Sequence, residues 1–245
     1  MKTIRNCGKI NIINEIRDGE GRRIAADFMD KLFSAFIKRA SKYMRSIDDA
    51  PFAYRERQLH SIFAPAISTI TDIFLMEQPI ERKWNKKINK DFKDYNGWLD
   101  YWCRYRNTDF FIEIKHNYDA LTKNNNIRKT TIKNWEYANN TQLENIINEA
   151  KTYSECCKGV ILFSLQVITF YRIIKNDKPS EFGSDFNAMI TAQKNYLSNL
   201  TPQPNWIGLW TLHEELYNSS CKKYEKQTEY YPGVMLIAKI REIIK

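Results

Sequence analysis

Long apolar runs, glycine-rich loops and paired cysteine motifs are all missing from this 245-residue chain. Only 8 residues are glycine and none sits in a phosphate-loop pattern, so a glycine loop cradling a nucleotide is not expected. No apolar run approaches the roughly 20 residues that span a bilayer. Met1 to Asn14 has no signal-peptide pattern. The cysteines Cys7, Cys103, Cys156, Cys157 and Cys221 form no Cys-X-X-Cys pair and follow no leader, which suits reduced thiols in a cytoplasmic protein. His213 and Cys221 lie near each other in sequence, but no second pair completes the four ligands of a structural zinc site. There is no internal repeat and no sign of a separate domain.

What is present is enough for a globular core, with 43% hydrophobic residues. The formal net charge of +9 favours a polyanionic partner, because basic side chains that neutralise phosphates release counterions.

The most informative stretch is Asn96 to His116. Trp98 to Arg106 and Asp109 to Lys115 are rich in aromatic and β-branched residues, and the Asn107-Thr108 pair between them suits a turn. With Arg106 facing Asp109 across that turn, Asp100 falls opposite Lys115 and Trp102 opposite Glu113. Alternation then puts Glu113, Lys115 and Asp100 on one face, and Phe110, Ile112 and Ile114 on the other, against a helix. Two carboxylates in a half-buried sheet repel each other and lose hydration, and a hard divalent cation held by oxygen ligands relieves both costs.

Asp100 followed by Glu113-Ile114-Lys115 resembles the motif of the PD-(D/E)XK, or restriction-endonuclease-like, nucleases. The leading proline of that motif is replaced here by Leu99. The resemblance implies an α/β fold with a central mixed sheet flanked by helices, in the order αβββαβ. It also implies Asp100 and Glu113 as ligands of Mg²⁺ (or Mn²⁺) and Lys115 as the catalytic ammonium. Family members often add a helical glutamate, for which Glu56 is the candidate ligand; an ordinary first-turn glutamate favoured by the helix dipole is the equal alternative. Glu-X-Lys alone is a short pattern, and a surface ion pair would produce it too. The surrounding order of helices and strands is what gives it weight.

That order reads as follows. Met1 to Arg17 is either a strand or an arm, and a helix runs from about Gly21 to Ser46 with Ile24, Phe28, Leu32, Phe36 and Ala40 on one stripe. Asp48-Asp49-Ala50-Pro51 starts a second helix whose stripe is Leu59, Ile62, Phe63, Ala66, Ile67, Ile70 and Phe74, kinked at Pro65. His60 borders that stripe. A first strand is expected over Gln78 to Trp84. Next comes a cationic stretch with Arg82, Lys83, Lys86, Lys87 and Lys90, interleaved with Trp84 and Phe92, which suits contact with a nucleic-acid backbone and unpaired bases. A polar loop or flap follows His116, and Thr141-Gln142-Leu143-Glu144 fits a capping box opening a helix to Tyr153. Gly159 to Gln166 is a buried strand, parallel to the Glu-Ile-Lys strand; Gln166 at its end could approach the site, but capping the strand end is the favoured role. Beyond it lie a helix from about Ser184 to Leu197 and strands at Trp206 to Leu212 and Val234 to Ile240.

The expected organisation is one domain over 1–245: an N-terminal helical extension over 1–50, a nuclease-like core over 51–166, and an elaboration over 167–245. The expected activity is Mg²⁺-dependent endonucleolytic hydrolysis of phosphodiester bonds, with DNA as partner. Many family members dimerise to cut two strands, so the resemblance leaves a homodimer open. The rival expectation is a non-catalytic nucleic-acid-binding or scaffold protein on the same fold.

Overall fold

In the computed structural model the described residues are 2–16, 22–82, 95–121, 127–153, 157–174 and 185–243. The strands are β1 (Lys2–Ile4), β2 (Gly8–Asn14), β3 (Phe74–Arg82), β4 (Tyr95–Tyr105), β5 (Thr108–Ala120), β6 (Gly159–Ile174), β7 (Trp206–Leu212), β8 (Cys221–Tyr224) and β9 (Gln227–Ile243). They form one mixed sheet in the order β1-β2-β7-β9-β6-β5-β4-β3, with β8 paired to β9. β5 and β6 are parallel, and the other described pairings are antiparallel. The helices are α1 (Arg22–Ile47), α2 (Glu56–Ser68), α3 (Lys129–Tyr137), α4 (Leu143–Tyr153) and α5 (Asp185–Asn199). None is long and apolar enough to cross a membrane.

Helices cover both faces because the central strands are apolar on both. On β5, Phe110, Ile112 and Ile114 join the core beneath α1 and α2, while Phe111 packs under α4 with Leu143 and Ile146. β6 is buried from Val160 to Phe170, and its alternate residues divide between the two sides. α1 forms where Phe28, Leu32, Phe36, Ala40 and Met44 recur at helical spacing, all essentially fully buried. Each buried phenylalanine contributes about 1.5–3 kcal/mol. The helix stops at Asp48, whose N–H still donates to the Met44 carbonyl at 2.9 Å while its left-handed backbone (φ 53°) turns the chain out of the helix.

Several expectations change. The N-terminal stretch is a β-hairpin, β1–β2, joined to the sheet through β7, so residues 1–50 supply two strands as well as α1. Gly8 makes this junction possible: at φ 125°, a Cβ there would lie 1.9 Å from the Thr211 carbonyl oxygen. The second helix does not begin at the Asp48–Pro51 stop. Pro51–Ala53 is a separate 3-10 turn and α2 starts at Glu56, because Tyr54 and Arg55 are extended. Phe74 belongs to β3 rather than to the helical stripe, and β3 begins earlier than the expected Gln78. The loop after His116 is instead strand as far as Ala120, followed beyond the undescribed 122–126 by α3. No capping box forms at Thr141, because the helix runs unbroken from α3 into α4 through a π-helical turn over Ala138–Gln142. β6 continues eight residues past Gln166, which is therefore buried mid-strand rather than at a strand end.

Candidate active site

The site is built where β4 and β5 part company. Their hairpin turns at Arg106-Asn107, both left-handed (φ 48° and 61°), not at Asn107-Thr108. The register therefore slides by two residues, so that Tyr105 faces Thr108 and Tyr101 faces Ile112. An even slip keeps the side chains of the paired stretch, Tyr101 to Tyr105 and Thr108 to Ile112, on their expected faces.

Beyond the Tyr101–Ile112 pair the two strands no longer pair with each other, and β4 stays with β3. A second irregularity lies at the same level. Met76 pairs Tyr101 and Gln78 pairs Leu99, but Glu77 and Asp100 between them are unmatched, and Glu77 is left-handed (φ 49°). Tyr101 packs in the core under α1 and α2, whereas Leu99 packs with α4, so β4 reverses its faces at Asp100. That break aims the Asp100 carboxylate into the gap between β4 and β5, where its Oδ2 accepts the Ile114 N–H at 2.6 Å. Two residues on, the His116 N–H donates to Glu56 Oε2 at 3.1 Å. Two carboxylates thus complete hydrogen bonds on β5 that a neighbouring strand would otherwise make.

Lys115 reaches into the same gap. Its ammonium donates to Glu113 Oε1 at 3.1 Å and to the Ile114 carbonyl at 3.0 Å, and lies 3.8 Å from Glu56 Oε1. Burial pulls its pKa down, but Glu113, Glu56 and Asp100 outweigh that and hold it above the ordinary lysine value. Lys115 is therefore a cation with an oxygen-rich surround. Glu113 is the buried member, its side chain 3% exposed, whereas that of Glu56 at the start of α2 is 38% exposed. The structure thus brings together all four residues singled out from the sequence: Glu56, Asp100, Glu113 and Lys115.

It also adds Gln142, which the capping-box reading had placed at a helix start. The π-helical turn carries this buried side chain onto the sheet, where its amide donates to Glu113 Oε1. A signal for it existed: Gln142 stands four residues before Ile146, on the stripe that buries Leu143, Ile146 and Ala150. Its Oε1 and the Ser164 hydroxyl are buried with no hydrogen-bond partner among the described residues; Ser164 is the β6 residue in register with Glu113.

His60 lies one turn along α2 from Glu56, and its Nδ1 is 2.7 Å from the Tyr101 hydroxyl, which ties α2 to β4. His116 points away from Lys115, its Nε2 2.9 Å from the Thr169 hydroxyl, and burial lowers its pKa to about 4. Of the cationic stretch, Arg82 ends β3 in register with Tyr95, while Lys83, Lys86, Lys87 and Lys90 lie outside the described residues.

Among the described residues, no three His, Cys, Asp or Glu side chains form a ready-made metal cage. The donor chemistry nevertheless fits a hard divalent cation, since carboxylate and carbonyl oxygens already converge on the Lys115 ammonium. No family model, curated protein or solved structure matches the chain.

Proposed function

We propose that the chain is a metal-dependent nuclease that hydrolyses DNA phosphodiester bonds on a restriction-endonuclease-like core. The observation that supports this reading is the convergence of Glu56, Asp100, Glu113 and Lys115 on the gap between β4 and β5. α2, the three strands β3–β5, the α3–α4 helix and β6 follow one another in the order such a core requires. Asp100, Glu113 and Glu56 would hold Mg²⁺ or Mn²⁺, which when bound supplies Lewis acidity and lowers the pKa of water.

The chain's own residues do the remaining work. The Lys115 ammonium, kept protonated by three carboxylates, donates to an oxygen of the scissile phosphate and offsets the charge that grows there as water attacks. Gln142 fixes the rotamer of Glu113 from one side, and the Ile114 and His116 amides fix Asp100 and Glu56. These contacts settle the carboxylates before substrate arrives, which reduces reorganisation during the reaction.

The test is incubation of the protein with plasmid and single-stranded DNA in Mg²⁺ or Mn²⁺, beside Asp100→Asn, Lys115→Ala and an EDTA control. Cleavage that requires the metal and is lost in both variants is the expected result, and cleavage retained in either variant would overturn the assignment. The second reading is a non-catalytic nucleic-acid-binding protein on the same core. The Lys115 ammonium, which already takes up oxygens of Glu113 and Glu56, favours it. Salt-sensitive DNA binding without cleavage in any metal would establish it.

A further inference from the structure

We propose that the α2-facing side of the β3–β4 ribbon, beside Asp100, is a stacking platform for an unpaired base, with Trp98 as the stacking side chain. This deepens the nucleic-acid reading above by naming the substrate class: a polynucleotide with single-stranded character at the site.

Trp98 is 60% exposed, whereas Trp135, Trp206 and Trp210 are fully buried. Isolated exposed apolar residues are ordinary. Here Met76 and Trp98, 42% and 60% exposed, lie on one face of two adjoining strands. Leu99 faces α4, so alternation turns Trp98 to the α2 side, where Pro79 is its register partner. Met76 is on that side too, opposite Tyr101. α2 reaches Tyr101 through His60 and leaves Met76, Pro79 and Trp98 exposed. The apolar surface therefore begins two residues from the proposed ligand Asp100.

Charge selects the occupant. The chain carries a net charge of +9, and the exposed Arg55 and Arg57 flank Glu56 at the start of α2. A polyanion whose phosphates lie by these cations can turn a base onto the indole, a contact that tolerates any base because every base has a π-face. Pairing of β3 with a second copy fits less well. Pro79 offers no N–H, and the left-handed Glu77 interrupts the edge.

The experiment is fluorescence anisotropy in EDTA with a labelled single-stranded oligodeoxynucleotide and the matching blunt duplex, comparing the parent chain with Trp98→Ala and Trp98→Phe. Trp98→Ala is expected to weaken single-strand binding roughly ten-fold. Trp98→Phe should restore most of that loss, and duplex affinity should move less than about two-fold. Circular dichroism matching the parent chain shows that the variants are folded. Equal single-strand binding by Trp98→Ala, or equal weakening of both DNAs, overturns the platform. So does unchanged binding accompanied by dissociation of a dimer in sedimentation equilibrium, which would assign the face to a second copy. Because binding is read without divalent cation, absence of cleavage would remove the nuclease reading and leave this result interpretable.

Discussion

Replacing Lys115 with methionine keeps the aliphatic stem and removes the ammonium from a site holding three carboxylates. Glu113, 3% exposed at its side chain, then loses a cation at 3.1 Å while keeping the neutral Gln142 amide. Breaking a buried ion pair from one side costs about 3–5 kcal/mol. With Gln142 retained and the Lys115 side chain 15% exposed, the low end of that range, about 3 kcal/mol, is expected. Glu113→Gln removes the other charge and leaves the ammonium with the Ile114 carbonyl and Glu56, at a cost of about 1–2 kcal/mol. The double variant has neither charge, so its loss should fall short of the summed single losses by about 2 kcal/mol. Urea unfolding followed by tryptophan fluorescence in EDTA measures all four corners of the cycle, with an unchanged slope confirming that the denatured states are comparable. Additivity within about 0.5 kcal/mol would refute the reasoning, since it would mean that the two groups do not sense each other's charge.

Two further expectations follow from the same strand and its neighbour. Burial lowers the His116 pKa to about 4 from 6.5, so its stabilising term is complete above pH 6.5 and falls by about 3 kcal/mol as pH drops toward 4. Burial raises Asp119 to about 6 from 3.8, so its term is complete below 3.8 and is lost, by a similar amount, as pH rises through 6. The two nearly cancel between about pH 4 and 6; urea midpoints should rise with pH in Asp119→Asn and fall in His116→Phe, and flat profiles in both variants would refute the pairing. Asp109 is fully buried and takes two bonds from Arg104, at 2.6 and 2.9 Å. Asp109→Asn should therefore cost about 3 kcal/mol. Calorimetry should show the thermal midpoint falling by roughly 6–12 °C, whereas an unchanged midpoint would show the pair to be dispensable.

Strand alternation made the faces of the paired part of the hairpin legible despite a misplaced turn, because the slip was even. The turn itself was not legible: Arg106 and Asn107 both adopt positive φ without a glycine to mark them, and arginine is seldom found there. β2 was obscured because Ile12 and Ile13 break its alternation, and β8 is only four residues long. Gln142 was hidden by a plausible cap, since the Thr141–Glu144 spacing does not show that the preceding helix continues through a π-helical turn.

The deeper gap concerns why the four residues meet. Alternation places Asp100 on the face of Glu113, but the observed route is different: β4 breaks pairing and reverses its faces at Asp100. The parting of β4 from β5 leaves the Ile114 and His116 N–H groups needing acceptors, and Asp100 and Glu56 supply them. That demand is a property of the backbone rather than of side-chain pattern, so a sequence can suggest which acids gather without showing what holds them. It also gives the acids two separable tasks. Asparagine at 100 or glutamine at 56 retains a carbonyl oxygen able to accept the β5 N–H while removing the charge a cation needs. These amide variants, rather than alanine, therefore separate loss of metal binding from loss of the strand's own hydrogen bonds.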